Sequence, residues 1–140
     1  MKYAIIRARF NEDVTEGLLR GALRAFTEGG VSTKDVTTVE VPGSWEIPYA
    51  ALQLANTKKY RAIVTLGAVI KGGTSHDYWI NHAVFPELQR IARKFLIPVT
   101  LGIVTTNNEK QAVARSGNDQ ENRGYAAARA AIEMVLLFKK

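Results

Sequence analysis

Four runs of the chain, Tyr3 to Ala8, Val36 to Val41, Ala62 to Ile70 and Ile97 to Thr105, are continuous or nearly continuous in Val, Ile, Ala and Thr. Such runs fit strands covered on both faces, because a strand with one wet face alternates apolar and polar residues. A helical pattern follows each run. After the first, Leu19, Leu23 and Phe26 recur with Leu18 and Ala22 on one face, and Gly29-Gly30 close the helix. After the second, Pro48 stands at a helix start ahead of Ala51, Leu52 and Leu54-Ala55. After the third, Ile80, Val84, Leu88, Ile91 and Ala92 form the stripe, and Pro86 within it is expected to kink or split the helix. After the fourth, "NNEKQAVARSG" predicts a short helix with Asn107 or Asn108 as cap and Gly117 as stop. A last helix is expected from about Arg123 to Phe138, with Ala127, Ala131, Met134-Val135 and Phe138 on one face. This alternation predicts an α/β fold: a central four-stranded, mainly parallel sheet with helices on both sides, joined by right-handed crossovers.

A chain of 140 residues holds one substantial core, so a single domain over 1–140 is expected. Its apolar runs are strand-length, well short of the roughly 20 residues that cross a bilayer. Met1-Lys2 leads straight into an apolar strand without the h-region of a signal peptide. With no Cys there is neither a disulfide framework nor a thiolate metal site, which fits a cytoplasmic enzyme. The net charge of +6 raises the question of nucleic acid. Its basic residues are scattered, however, with only short pairs such as Lys58-Lys59, Arg93-Lys94 and Lys139-Lys140. No nucleic-acid-binding motif is present, so a solvated basic surface is the expectation and neither a nucleic-acid nor a membrane partner is expected.

Open parallel sheets bind ligands outside the carboxyl ends of their strands. The segments leaving the four strands are "RFN" (9–11), "PGSWEIP" (42–48), "KGGTSH" (71–76) and "TTNN" (105–108), all richer in polar, aromatic or Gly residues than a bare connector requires. Gly72, Gly73 and Thr74 can bring backbone N–H groups to an anion beside the positive end of the next helix, although an ordinary βα turn has the same composition. Neither a Walker A loop nor a dinucleotide fingerprint is present. His76 can serve as a general acid or base, or simply as a helix-start cap. His82 faces roughly the other way and reads as structural or exposed, so the two histidines make a poor metal site. Glu46 can accept hydrogen bonds from a polyhydroxy chain or ring N–H groups, or act as a first-turn helix acid. Phe10 and Trp45 can stack on a planar ring or sit in the core, and Arg115 can clamp a phosphate or lie in solvent.

Together, "RFN", "VPGSWEIP", "GAVIKGGTSH", "PVTLGIVTT", "QAVARSG" and "NRGYAAARAAIEM" resemble the 6,7-dimethyl-8-ribityllumazine synthase family, from about Ile5 to Met134. The resemblance implies a flavodoxin-like three-layer α/β/α sandwich. It also implies at least a homopentamer whose active sites are shared between neighbours, with riboflavin synthase as a candidate partner. The implied reaction of riboflavin biosynthesis joins 5-amino-6-(D-ribitylamino)uracil to 3,4-dihydroxy-2-butanone 4-phosphate with no metal or organic cofactor. By matching motifs, Phe10 would stack on the pyrimidine, Asn11 would help position the ribityl chain, and Ser44, Trp45 and Glu46 would hold it. Ala68, Val69 and Ile70 would offer backbone groups to the pyrimidine edge. Gly73, Thr74 and an adjacent subunit's Arg115 match the phosphate site, and His76 matches the proton-transfer residue.

The sequence also departs from the family pattern. Leu101 stands where the family has an aromatic residue that reaches the neighbouring subunit's ring site; losing that stack is worth about 0.5–1.5 kcal/mol of binding. Asp77-Tyr78-Trp79 follows His76 in place of the usual pattern, and Gly73 replaces Ala. Arg123 replaces a Lys and keeps its charge with a different geometry. The family's short N-terminal extension is not expected here, which leaves assembly beyond a pentamer undetermined, and the segment between Gly117 and Asn122, carrying no insertion, leaves a decamer or a 60-subunit capsid open.

Overall fold

The computed structural model describes residues 2–139. Its elements in chain order are β1 (Lys2–Ala8), α1 (Glu12–Glu28), β2 (Val36–Val41), α2 (Ile47–Asn56), β3 (Tyr60–Ile70), α3 (His76–Phe95), β4 (Val99–Thr106), α4 (Glu109–Ala114) and α5 (Arg123–Leu137). Short 3-10 turns occupy Thr33–Asp35 and Ser44–Glu46. The strands pair in the order β2-β1-β3-β4, and every pairing is parallel. The mainly parallel sheet expected from sequence is thus parallel throughout, consistent with a flavodoxin-like sandwich.

Two cores explain the continuous apolar runs. Tyr3 and Ile5 of β1, with Ala62, Val64, Leu66 and Ala68 of β3, pack under α1 and α5. The intervening Ala4, Ile6 and Ala8, with Ile63 and Val69, pack under α2 and α3. Successive residues of a strand point to opposite faces, so a run buried on both has room only for polar residues with a partner, as Arg7 has in Glu40 and Thr65 in the Thr100 carbonyl. The edge strand β2, half exposed over most of its length, carries Thr37, Thr38 and Glu40.

α1 and α5 approach closely because glycines line their contact. A Cβ on Gly124 would stand 2.0 Å from the Leu18 carbonyl oxygen, and one on Gly21 would stand 2.1 Å from Asn122 Oδ1. Asn122, 1% exposed, has its amide occupied. Its Nδ2 donates to the carbonyls of Gly17 (3.0 Å) and Gly117 (2.7 Å), and its Oδ1 accepts the Tyr125 N–H at 3.0 Å, capping α5.

Several boundaries differ from those read in the sequence. α3 runs unbroken through Pro86, so the expected split does not occur. Pro86 is exposed, which leaves the carbonyl deprived of its hydrogen bond open to water. α4 ends at Ala114 with Arg115 as its cap, before the expected stop at Gly117. Asn108 is its N-cap, accepting the Gln111 N–H at 2.9 Å. β4 starts at Val99 because Ile97 still belongs to the end of α3, its N–H donating to the Ala92 carbonyl. Lys140, of the pair Lys139-Lys140, lies outside the described residues.

Gly124→Ala is expected to destabilise the fold by about 2 kcal/mol, since the added methyl meets backbone and forces α1 from α5. Urea denaturation at fixed protomer concentration measures this; an unchanged midpoint would mean that the helices can separate freely.

Candidate functional site

A cleft of about 700 Å³ opens at the carboxyl ends of β1, β2 and β3. Three βα turns build it. From the first come Phe10 and Asn11; from the second, Pro42, Gly43, Ser44, Trp45 and Glu46. The end of β3 contributes Ala68, Val69 and Ile70, and beyond it Gly72, Thr74, His76, Asp77 and Ile80 complete the wall.

The first turn is held from several sides. Asn11 adopts a left-handed conformation (φ 60°), and its Nδ2 donates to the Ala68 carbonyl at 2.9 Å. Asn tolerates this backbone region better than most non-glycine residues. The N–H groups of Arg9 and Phe10 donate to the carbonyls of Val41 and Pro42, at 2.8 and 3.0 Å. Below, the buried Arg7 donates to Glu40 of β2 at 2.6 Å and lies 3.7 Å from Glu12 in the first turn of α1. Phe10 therefore projects from a fixed backbone, 69% exposed, and Trp45 across the cleft is 59% exposed. Neither ring belongs to the core.

The second turn depends on Gly67 of β3. A Cβ there would stand 2.5 Å from Ser44 Oγ, so the missing side chain lets the Ser44–Glu46 turn settle against the strand. A Cβ on Gly43 would in turn be 3.3 Å from a Glu46 carboxylate oxygen, which places that carboxylate over the turn. In the third turn, Thr74 Oγ1 accepts the His76 N–H at 3.3 Å, and His76 is the first residue of α3. Gly72 and Gly73 have nothing within 4 Å of a Cβ position and no positive φ. Their backbone is uncovered, and an Ala at position 73 would fit without a clash.

The other candidate residues lie elsewhere in the chain. Gly73 sits between the lining residues Gly72 and Thr74 without itself lining the cleft. Leu101 is 51% exposed on the edge strand β4. Arg115 is half-buried at the end of α4, its Nη1 donating to the Gln111 carbonyl, and Arg123 is exposed at the start of α5. The "TTNN" segment does not reach the cleft, because its polar groups close the start of α4: Thr106 Oγ1 donates to the Asn108 carbonyl and Asn108 caps the helix. His82 is exposed, its ring stacked on Tyr78 with centroids 3.9 Å apart. The sequence placed Gly72 in the anion cradle but gave no binding role to Pro42, Gly43, Asp77 or Ile80, which also line the cleft. The signal for Asp77 was its adjacency to His76, and for Pro42 the turn it opens.

The lining charges are unbalanced. Glu46 and Asp77 supply two carboxylates and His76 the one imidazole, and among the described residues no Lys or Arg lines the cleft. Two exposed aromatic rings, uncovered amides and a histidine suit a planar ring with an anionic second group, yet the full cation an anion would want is absent from this chain's own wall.

A model of the 6,7-dimethyl-8-ribityllumazine synthase family matches residues 1–139. A relative of that description from Buchnera aphidicola subsp. Schizaphis graminum (strain Sg) is 44% identical over 137 residues, covering 97% of this chain and 86% of the relative. Another, from Coxiella burnetii (strain CbuG_Q212), is 42% identical over 139 residues, covering 99% of this chain and 92% of the relative.

Asn11→Ala removes the tether to Ala68 and leaves an alanine in the left-handed region, whereas Asn11→Gly removes only the tether. The alanine variant is expected to be less stable than the glycine variant by about 1 kcal/mol, measured by denaturation. Equal stabilities would mean that the turn relaxes.

Proposed function

Because the chain belongs to the 6,7-dimethyl-8-ribityllumazine synthase family, we propose that the cleft at the carboxyl ends of β1, β2 and β3 is its catalytic site. The protein is a transferase of riboflavin biosynthesis that condenses 5-amino-6-(D-ribitylamino)uracil with 3,4-dihydroxy-2-butanone 4-phosphate, releasing phosphate and water. In this reading Phe10 stacks on the pyrimidine and backbone groups of Ala68, Val69 and Ile70 meet its edge. Asn11, Ser44, Trp45 and Glu46 hold the ribityl chain, Glu46 by accepting hydrogen bonds from its hydroxyls.

The uracil amine adds to the ketone and loses water, giving an imine. Phosphate leaves as the enol forms, the enol tautomerises to a methyl ketone, and the second amine adds to that carbonyl and loses a second water, closing the ring. His76 moves the protons, and the uncovered amides of Gly73 and Thr74 receive the departing phosphate. None of these steps needs a strong acid, so most of the acceleration comes from holding two substrates in register.

The observation that carries this reading furthest is the charge of the cleft. A wall with two carboxylates and no Lys or Arg is incomplete for a phosphate substrate. Arg115, outside the cleft, supplies the missing cation if it comes from an adjacent subunit, with Leu101 entering from the same neighbour and Arg123 adding charge. We accordingly read the working form as at least a homopentamer of one-domain chains, located in the cytoplasm and using no cofactor. A decamer or a larger shell remains compatible, and riboflavin synthase is the candidate protein partner. Among the described residues no helix is long and apolar enough to cross a membrane.

Absorbance monitoring of product formation from the two substrates tests the reading. His76→Ala is expected to lose about 100-fold in turnover with little change in binding. Arg115→Ala is expected to raise the KM for the phosphate substrate. No acceleration over the uncatalysed reaction, with tight flavin binding, would instead assign the cleft a binding role, with Leu101 and Asp77 as the relevant departures.

Sharing of the site has its own test. Phe10→Ala and Arg115→Ala subunits, each poorly active alone, are expected to regain activity when unfolded together and reassembled, because some interfaces then pair an intact cleft with an intact Arg115. No recovery in assemblies shown to be mixed would contradict a shared site.

A further inference from the structure

We propose that the amino-end cleft of the sheet is a second binding site, for a small amphipathic anion consisting of an apolar body with a single phosphate, sulfate or carboxylate head. The cleft, about 830 Å³, lies between the starts of β3 and β4 and the ends of α3 and α5. About 23 Å of β3, from Arg61 to Ala68, separates it from the catalytic cleft, and the two share no residue.

The basic pairs that look scattered in the sequence account for the head-group end. Lys58 follows α2, Arg61 lies in β3 and Arg93 in the last turn of α3, and all three line this cleft. No Asp or Glu lines it. Among the described residues none of the three cations stands within salt-bridge distance of a carboxylate; the recorded ion pairs use Arg7, Arg24 and Arg90. Three cations from separate elements, unpaired among the described residues, converge to make a positive end.

The remaining wall is apolar. Leu96, held in the left-handed conformation that ends α3, is 91% exposed, and Phe138 at the end of α5 is 71% exposed. Met134, Tyr60 and Val99 continue the same surface. An inorganic anion would leave this wall in water, and a neutral apolar molecule would leave the cations unmatched. A ligand with both parts satisfies both.

Isothermal titration of the assembled protein with dodecyl phosphate, below its micelle-forming concentration, tests the proposal. One site per chain is expected. Decyl phosphate should bind about tenfold more weakly, from the loss of two buried methylenes. Arg61→Gln and Arg93→Gln, both at exposed positions, should each weaken binding about tenfold and leave turnover in the catalytic cleft unchanged. The chain-length series on the wild-type protein keeps the test decisive should a variant fail to fold. Equal affinity for dodecanol, no binding to the assembled protein, or binding undiminished in the double variant would overturn the proposal. So would displacement of the alkyl phosphate by duplex DNA, which would reassign the cations to a nucleic-acid surface.

Discussion

From Ala62 to Val69, β3 has no wet face. Every side chain in that stretch is buried, so helices must cover the sheet on both sides, and here α1 with α5 and α2 with α3 do so. Covering both faces with connecting helices makes each strand re-enter in the same direction. All carboxyl ends then meet at one end of the sheet, and the turns leaving β1, β2 and β3 must share the space above them. The functional cleft follows from that burial constraint.

This explains what was legible in the sequence. Nearly continuous apolar strand runs and helices with a single apolar stripe give the layers directly, and the rule for strand ends points to Phe10, Glu46 and His76 before any geometry is known. Features set by contact between distant segments were not legible. Gly67 reads as an ordinary strand residue until Ser44 is found against it. Pro86 reads as a kink or a split, but its exposed position lets α3 continue without splitting. Lys58, Arg61 and Arg93 look dispersed because three separate elements bring them together. For Leu101 and Arg123 only the family resemblance suggested a role, and it alone put Arg115 on an adjacent subunit, since nothing within one chain carries these residues to the cleft.

The two ends of the sheet therefore differ in electrostatics. At the carboxyl end, carboxylates and one histidine surround exposed aromatic rings, and in the proposed reading the cation for phosphate comes from another copy of the chain. At the amino end, cations without acids border an apolar wall. A net charge of +6 is thus an average over unlike surfaces, and the carboxyl-end cleft is among the less basic of them. In this account self-association completes the chemistry as well as the assembly.

The most direct measurement is a crystal structure of the assembled protein with inorganic phosphate and a non-reacting ribitylamino-uracil analogue. The account predicts phosphate on the amides of Gly73 and Thr74 within ion-pair distance of Arg115 from the adjacent subunit, with the ring stacked on Phe10 and His76 facing the space between them. A phosphate bound elsewhere, or an Arg115 turned away from every cleft in the assembly, would contradict it.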